Sequence, residues 1–182
     1  MKNHPLLFVL VLLGGLFVAA FDGSARAESI AIVDLERVLN QSSAAQGIRQ
    51  QMEGRIEDFQ AWGRGQEEAF QSEAEEFETQ RAVLSPEVMQ QRGQDLQNRI
   101  AEFQVEAQRR DQGIRQAGAN AQQELENVLV AVVADVARAQ GISLIMPKST
   151  LLFAGPDVLD VTEAALAQLN TQLPSISVTF GD

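Results

Sequence analysis

The tetrapeptide Leu84-Ser85-Pro86-Glu87, set midway along a helical pattern that runs from residue 44 to 140, constrains the fold more than any other feature of the chain. Proline is accepted at the first position of a helix, where its missing N–H is not needed, and clashes with the preceding turn anywhere deeper. Ser85 therefore reads as the N-cap of a new helix, with Glu87 facing the positive end of its dipole. Leu84, Ser85 and Pro86 become the tip, at 84–88, of a long helical hairpin. At about 1.5 Å rise per residue its arms reach roughly 60 Å. Arms of that length bury little of themselves, so they are expected to exist in order to touch something else.

The two arms carry matching apolar stripes. Met52, Ile56, Phe59, Phe70, Phe77 and Leu84 keep a seven-residue beat interrupted at Gly63, Gln66 and Glu73. On the return, Leu96, Ile100, Phe103, Ala107, Ile114, Ala117, Ala121 and Val128 alternate by threes and fours, with Arg110 and Glu124 as polar breaks. Folding about Pro86 sets Phe70 near Ile100, Phe59 near residues 112–114 and Ile56 near Arg115, so the stripes can zip into a coiled-coil-like seam. Trp62 fits either the seam or a partner contact, with packing the preferred reading. Gly54, Gly63, Gly65, Gly93, Gly113 and Gly118 each cost on the order of 1 kcal/mol relative to alanine inside a helix. They suit arms that bend around clients of different size, and equally suit drift in an exposed helix held by its seam.

The flanks predict a small body. Residues 29–33 are short and β-branched and read as a strand, after which Asp34 caps a short helix through Leu35, Val38 and Leu39. Ser43-Ala44-Ala45-Gln46 has the form of a capping box opening the first arm. Beyond Val128 the return helix is apolar on several faces, through Leu129, Val130, Val132, Val133 and Val136, and must enter a core before Gly141 supplies a left-handed stop. Residues 142–146 and Leu151-Leu152-Phe153 read as strands, Asp160-Val161-Thr162-Glu163 as a capping box for a helix ended by Pro174, and residues 175–180 alternate as a last strand would. The fold class is thus α+β, mainly α: a long antiparallel helical hairpin projecting from a small β-rich body.

That body, residues 28–43 and 141–182, holds 58 residues and no cysteine. A core of this size is marginal alone, and strand edges need partners. Oligomerisation is expected through Ile30, Ile32, Val33, Leu144, Ile145, Leu152 and Phe153. A symmetric ring of bodies would project its hairpins in one direction around a shared space.

The N-terminus states the address. Lys2, the apolar run of residues 6–20 and the triplet Ala25-Arg26-Ala27 form a secretory signal peptide of residues 1–27, the alternative being an uncleaved anchor with a rather short apolar run. No cysteine follows that run, which excludes a bacterial lipoprotein. Losing Lys2, Arg26 and Asp22 leaves 12 basic and 24 acidic residues, a net charge of −12. Net charge of this sign does not draw in nucleic acid, anionic lipid or lipopolysaccharide. Nothing points to an enzyme: the sole histidine, His4, leaves with the leader, cysteine and tyrosine are absent, and neither a nucleophile elbow nor a phosphate loop occurs. No cofactor and no metal site is expected. Paired acids such as Glu67-Glu68 read as solvated helix surface.

Three stretches together resemble the Skp/OmpH family: residues 30–42 (Ile30-Ala31-Ile32-Val33-Asp34-Leu35-Glu36 and onward to Ser42), the Leu84-Ser85-Pro86 tip, and Gly155-Pro156-Asp157-Val158-Leu159-Asp160-Val161-Thr162 with the helix ending Leu169-Asn170. The resemblance spans residues 29–173. It implies a jellyfish-shaped homotrimer in the periplasm, with the body built from all three chains and the hairpins enclosing a cavity. It further implies an ATP-independent holding chaperone that takes unfolded outer-membrane β-barrel proteins from the translocon and hands them to the insertion machinery. The best-known members are basic, unlike this chain, and the segment after Pro174 is an addition to the usual terminal helix. Apolar residues outside the seam, Trp62, Val83, Val88, Met89 and Val105, are the candidates for client contact. The competing reading is a structural adaptor whose hairpin binds one fixed folded partner.

Overall fold

Short polar side chains write the start of each long element. In the computed structural model, which describes residues 29–181, Asp34 accepts a hydrogen bond from the Arg37 N–H and opens helix α1 (Leu35–Gln41). Ser42 accepts from the Ala45 N–H and opens α2 (Ser43–Gln80), and Ser85 accepts from the Val88 N–H and, followed by Pro86, opens α3 (Pro86–Gln140). The leader of residues 1–27 and Glu28 lie outside the described residues.

The cap of α2 is one residue earlier than the capping-box pattern suggests. Ser42 alone separates two helices and adopts an extended backbone, φ −63° and ψ 147°, so it must serve the second helix. It is wholly buried, and its hydroxyl also donates to the Leu39 carbonyl. Ser43 turns instead to the far end of the chain, its N–H and Oγ donating to Asn170 Oδ1 at 2.8 and 3.1 Å.

Gly141, at φ +66°, stops α3 in the left-handed region. The chain then enters β2 (Leu144–Pro147), which lies parallel to β1 (Ile30–Val33) with Ile30 opposite Leu144. On the other side of β1 lies β3 (Leu159–Asp160), also parallel, with Ala31 opposite Leu159, and α4 (Thr162–Gln172) follows it. Parallel neighbours need a crossover connection, and between β1 and β2 that crossover is the whole hairpin. Thr162, fully buried, ties the parts together: its Oγ1 accepts from the Asp34 N–H at 2.9 Å and donates to Asp160 Oδ1 at 2.5 Å.

One segment expected to be a strand is not, and a second that alternates like one joins no sheet. Residues 148–150 wind into a single 3-10 turn, closed by Leu151 N–H donating to the Lys148 carbonyl, and this throws Leu151, Leu152 and Phe153 out of the sheet, where Leu152 and Phe153 are exposed. Pairing moves to residues 159–160 instead. Residues 175–180 join no strand and run along the base of the hairpin, bonded to the side chain of Gln51.

One core joins sheet, hairpin base and α4. Ala31 and Val33 on one face of β1 pack with Val38, Ile48, Leu125, Leu129, Val132 and Leu169. Above it the arms run antiparallel, with Met52 over Gly118, Phe59 beside Ile114, Phe70 on Phe103, Phe77 beside Gly93 and Gln80 bonded to Arg92. Beyond Ile48 on α2 and Ile114 on α3, no side chain of the arms is buried. Ile56, expected in the seam, is 40% exposed. A straight helix turns every 3.6 residues, so a stripe repeating every 3.5 drifts off the contact line unless the helices supercoil.

Candidate functional site

The middle of the arms is held by an aromatic cluster with charged lids. Trp62 lies 5.9 Å from Phe59 and 5.1 Å from Phe103, and Phe103 meets Phe70 edge-on at 5.6 Å. The Arg110 guanidinium sits 4.3 Å above the Trp62 ring and that of Arg99 5.6 Å from Phe70. Such cation–π contacts contribute about 0.5–1 kcal/mol each at exposed sites. Glu106 accepts from both Arg109 and Arg110, and these hydrogen bonds hold its carboxyl at about 2 instead of 4.5. Arg110, a break in the apolar stripe by sequence, is thus a lid on the seam, and Trp62 is one of the seam's packed aromatics.

Nearer the tip the arms part around a cleft of about 860 Å³, lined by Ala69, Phe77 and Leu96 together with Glu73, Arg92 and Arg99. Small residues on α2 leave the space, and the Arg99–Glu73 pair at 2.7 Å crosses it. At the tip Val83 is 82% exposed; Val88, Ser85 and Pro86 are exposed too, while Leu84 and Met89 are half-buried. Val105 points to solvent from the return arm. Val83, Val88 and Val105 are therefore free to meet another molecule, whereas Trp62 and, in part, Met89 are engaged within the hairpin.

A second apolar surface lies on the body. Helices cover the Ala31 and Val33 face of the parallel sheet, and on the opposite face Ile30 and Leu144 stand side by side, 48% and 49% exposed. Parallel sheets are ordinarily covered on both faces. Leu152 and Phe153 are exposed beside it in sequence, Ile145 is half-buried against the core, and Ile32 and Val33 are buried within the chain. Sequence reading missed Leu159 and Val130, both exposed. Val130 lies inside a stretch apolar on every face, and only the wheel positions of its buried neighbours Leu129 and Val132 could have singled it out. Asp160 is partly buried, which pushes its pKa upward, but hydrogen bonds from Lys148 and Thr162 outweigh that and hold it at about 2.

Among the described residues, no group of three His, Cys, Asp or Glu side chains is set to hold a metal ion, and no helix is long and apolar enough to cross a membrane. The half-bare arms, and Ile30 and Leu144 at one end of the sheet, leave extended surfaces for another molecule to cover. The chain belongs to the OmpH-like outer membrane protein family, whose model matches residues 29–169, and this is not a family of enzymes. Its fold is similar to the crystal structure of a candidate outer membrane chaperone (OmpH-like) from Caulobacter crescentus CB15, with a TM-score of 0.78 and 18% identity over 85% of this chain and 90% of that one. No curated protein matches it.

Proposed function

We propose that the protein is an ATP-independent holding chaperone of the periplasm, freed from its leader, that keeps unfolded outer-membrane β-barrel proteins soluble and passes them to the insertion machinery. The observation that carries this reading is the bareness of the arms: some thirty residues of each helix beyond Ile48 and Ile114 bury no side chain fully, while Val83, Val88 and Val105 stand free. Contacts to such residues are worth about 1 kcal/mol each, and several arms acting together raise the avidity without ordering the client. Family membership and the fold's likeness to an OmpH-like chaperone candidate support the same reading.

In this proposal the working unit is a homotrimer. The sheet face bearing Ile30 and Leu144, with Leu152 and Phe153 near it in sequence, is the apolar surface that association would cover. Three hairpins then enclose the cavity in which the client sits.

The test dilutes a urea-unfolded outer-membrane barrel into buffer with the leaderless chain, without ATP, at two salt concentrations, and follows light scattering. Suppression that saturates near a threefold excess of chains, as a trimer requires, and that is insensitive to salt is expected. Absence of suppression for several barrels would sink the proposal and favour an adaptor that binds one folded partner.

A further inference from the structure

The tail after α4 has the alternation of a strand and no strand beside it. Ile176 and Val178 turn into the base of the hairpin, 4% and 9% exposed, while Ser175, Ser177 and Thr179 face out. Phe180, half-buried, lies under the Arg55 guanidinium at 5.3 Å. A single side chain grips the backbone: Gln51 Nε2 donates to the Ile176 carbonyl at 2.8 Å, and the Val178 N–H donates to Gln51 Oε1 at 3.0 Å. A carboxamide has one donor group and one acceptor, so Gln51 offers the pair of bonds that a residue of a neighbouring strand would offer. Its Nε2 also donates to the Gly47 carbonyl at 3.0 Å, which fixes the orientation of the amide. On the other arm, Gly113 brings α3 close to the tail, with the Gly181 carbonyl 3.4 Å from where a Cβ would stand.

Recognition of this kind reads backbone atoms and alternate side chains, and it is indifferent to which apolar residues alternate. We propose that this groove at the base of the hairpin is a docking site for one extended client segment with apolar–polar alternation, the pattern of a barrel strand, and that residues 175–180 fill it in cis until such a segment displaces them. The inference rests on the holding function proposed above. Tethering through Pro174 gives the tail an effective concentration on the order of millimolar. A lone short peptide competes poorly against that. A client held by several arms, offering many alternating strands, competes by avidity, so the tail sets a threshold that favours long barrel-like chains.

Two labelled peptides test the groove: one with the sequence of residues 174–182, the other with the same composition but its apolar residues contiguous. Each is titrated by fluorescence anisotropy against the leaderless full chain and against Ile176→Asp/Val178→Asp, which frees the tail and leaves the groove intact. The tail-freed variant is expected to bind the alternating peptide about tenfold more tightly than the parent does, with Gln51→Ala removing the gain. No gain, or equal binding of the contiguous peptide, overturns the proposal; so does peptide-induced self-association in light scattering, which would make the groove a site of tail exchange between copies.

A second measurement needs no variant and decides the matter if the tail-freed chain loses its helical circular dichroism. Hydrogen exchange at the Val178 amide is followed in the parent chain as unfolded barrel is added. Loss of protection at saturation is expected. A barrel held soluble while Val178 stays protected overturns the docking site and leaves the holding function standing. A barrel not held at all counts against that function, and the groove is then judged by Val178 exchange in the parent chain under excess alternating peptide, where unchanged protection overturns the docking site.

Discussion

The base of the hairpin and its outer half are built from the same two helices and are held in different ways. At the base, Leu125, Leu129, Val132 and Val136 of α3 are sealed between the sheet, α1 and α4, and the ends of the long helices are fixed: Ser42 caps α2, Asn170 holds Ser43, and Gly141 stops α3. Outward, stability comes from half-buried aromatics, arginine lids and surface ion pairs such as Arg99–Glu73 and Arg110–Glu106. Burial is worth about 25 cal/mol per Å² of apolar surface, whereas exposed ion pairs contribute roughly 0–1 kcal/mol. The difference teaches that one continuous helix pair can anchor rigidly at one end and open at low cost at the other. For a holder of unfolded chains, that is a workable division of labour.

The sharpest way to break this comparison is to cut the base. Leu125→Ala removes a side chain that is wholly buried where α3 meets the core. It is expected to cost about 2–5 kcal/mol and to lower the urea midpoint of the whole chain, followed by circular dichroism. Leu96→Ala, the same change at a half-buried arm position, should cost well under half as much. Equal losses would show that base and arms unfold as one unit.

Trp62→Ala comes next. Trp62 is only half-buried, but it links Phe59, Phe103 and the Arg110 guanidinium. Its loss should loosen the middle of the arms by about 1–2 kcal/mol, less than truncation of a fully buried aromatic. The readout is faster amide exchange along residues near 59–62 and 103–110, with exchange at the base unchanged. Trp62 is also the only tryptophan in the chain, so its fluorescence in the parent reports seam opening directly.

How much of this was legible beforehand follows from where each signal lives. The hairpin, its tip and the buried end of α3 rest on local rules: proline at the start of a helix, glycine at its end, apolar periodicity between. The approximate register of the seam followed because a short turn sets it for antiparallel helices: Phe59 meets Ile114 as expected, while Phe70 meets Phe103, one turn from Ile100, and Ile56 is left exposed. What was misread or left open depended on an unrecognised turn and on contacts far apart in sequence. Leu151-Leu152-Phe153 has strand composition, but a turn at 148–150 carries it out of the sheet; residues 175–180 alternate like a strand, but their backbone partner is the side chain of Gln51, more than a hundred residues earlier. Ser43 carries the capping-box pattern, but Ser42 takes the cap, and Asn170 at the far end of the chain takes up the Ser43 N–H and hydroxyl. Among the client-contact candidates, the structure leaves Val83, Val88 and Val105 exposed and draws Trp62 inward, a distinction that spacing from Phe59 alone could not make.

A third prediction reverses the sign. Gly63 and Gly65 have open space where a Cβ would stand, so alanine meets no steric penalty there. Each Gly→Ala change should stabilise α2 by about 1 kcal/mol through helix propensity. Amide exchange around residues 60–68 should slow while the base is unaffected. If these glycines give the arm useful bend, the doubly substituted chain also holds large barrels less well than small ones. If they are drift, holding is unchanged for both.

The smallest effect compares the two regions through acid. Glu106 in the arm and Asp160 in the body both have pKa values near 2, against ordinary values of 4.5 and 3.8. For a carboxylate whose folded pKa is depressed, the stabilisation is fully present above the unfolded value and is lost as pH falls through the folded one. Stability should therefore be flat down to about pH 5 and decline between there and about pH 2. The two sites separate by location: Glu106→Gln should remove the acid sensitivity of amide exchange in the arm around residues 59–62 and 103–110, and Asp160→Asn that of the urea midpoint of the body. Both ion pairs are partly exposed, Lys148–Asp160 at 36% and 41%, so 1 M salt should shrink both effects. An acid response carried by Glu106 but visible at the base would mean that the arms and the body communicate, against the division drawn from their packing.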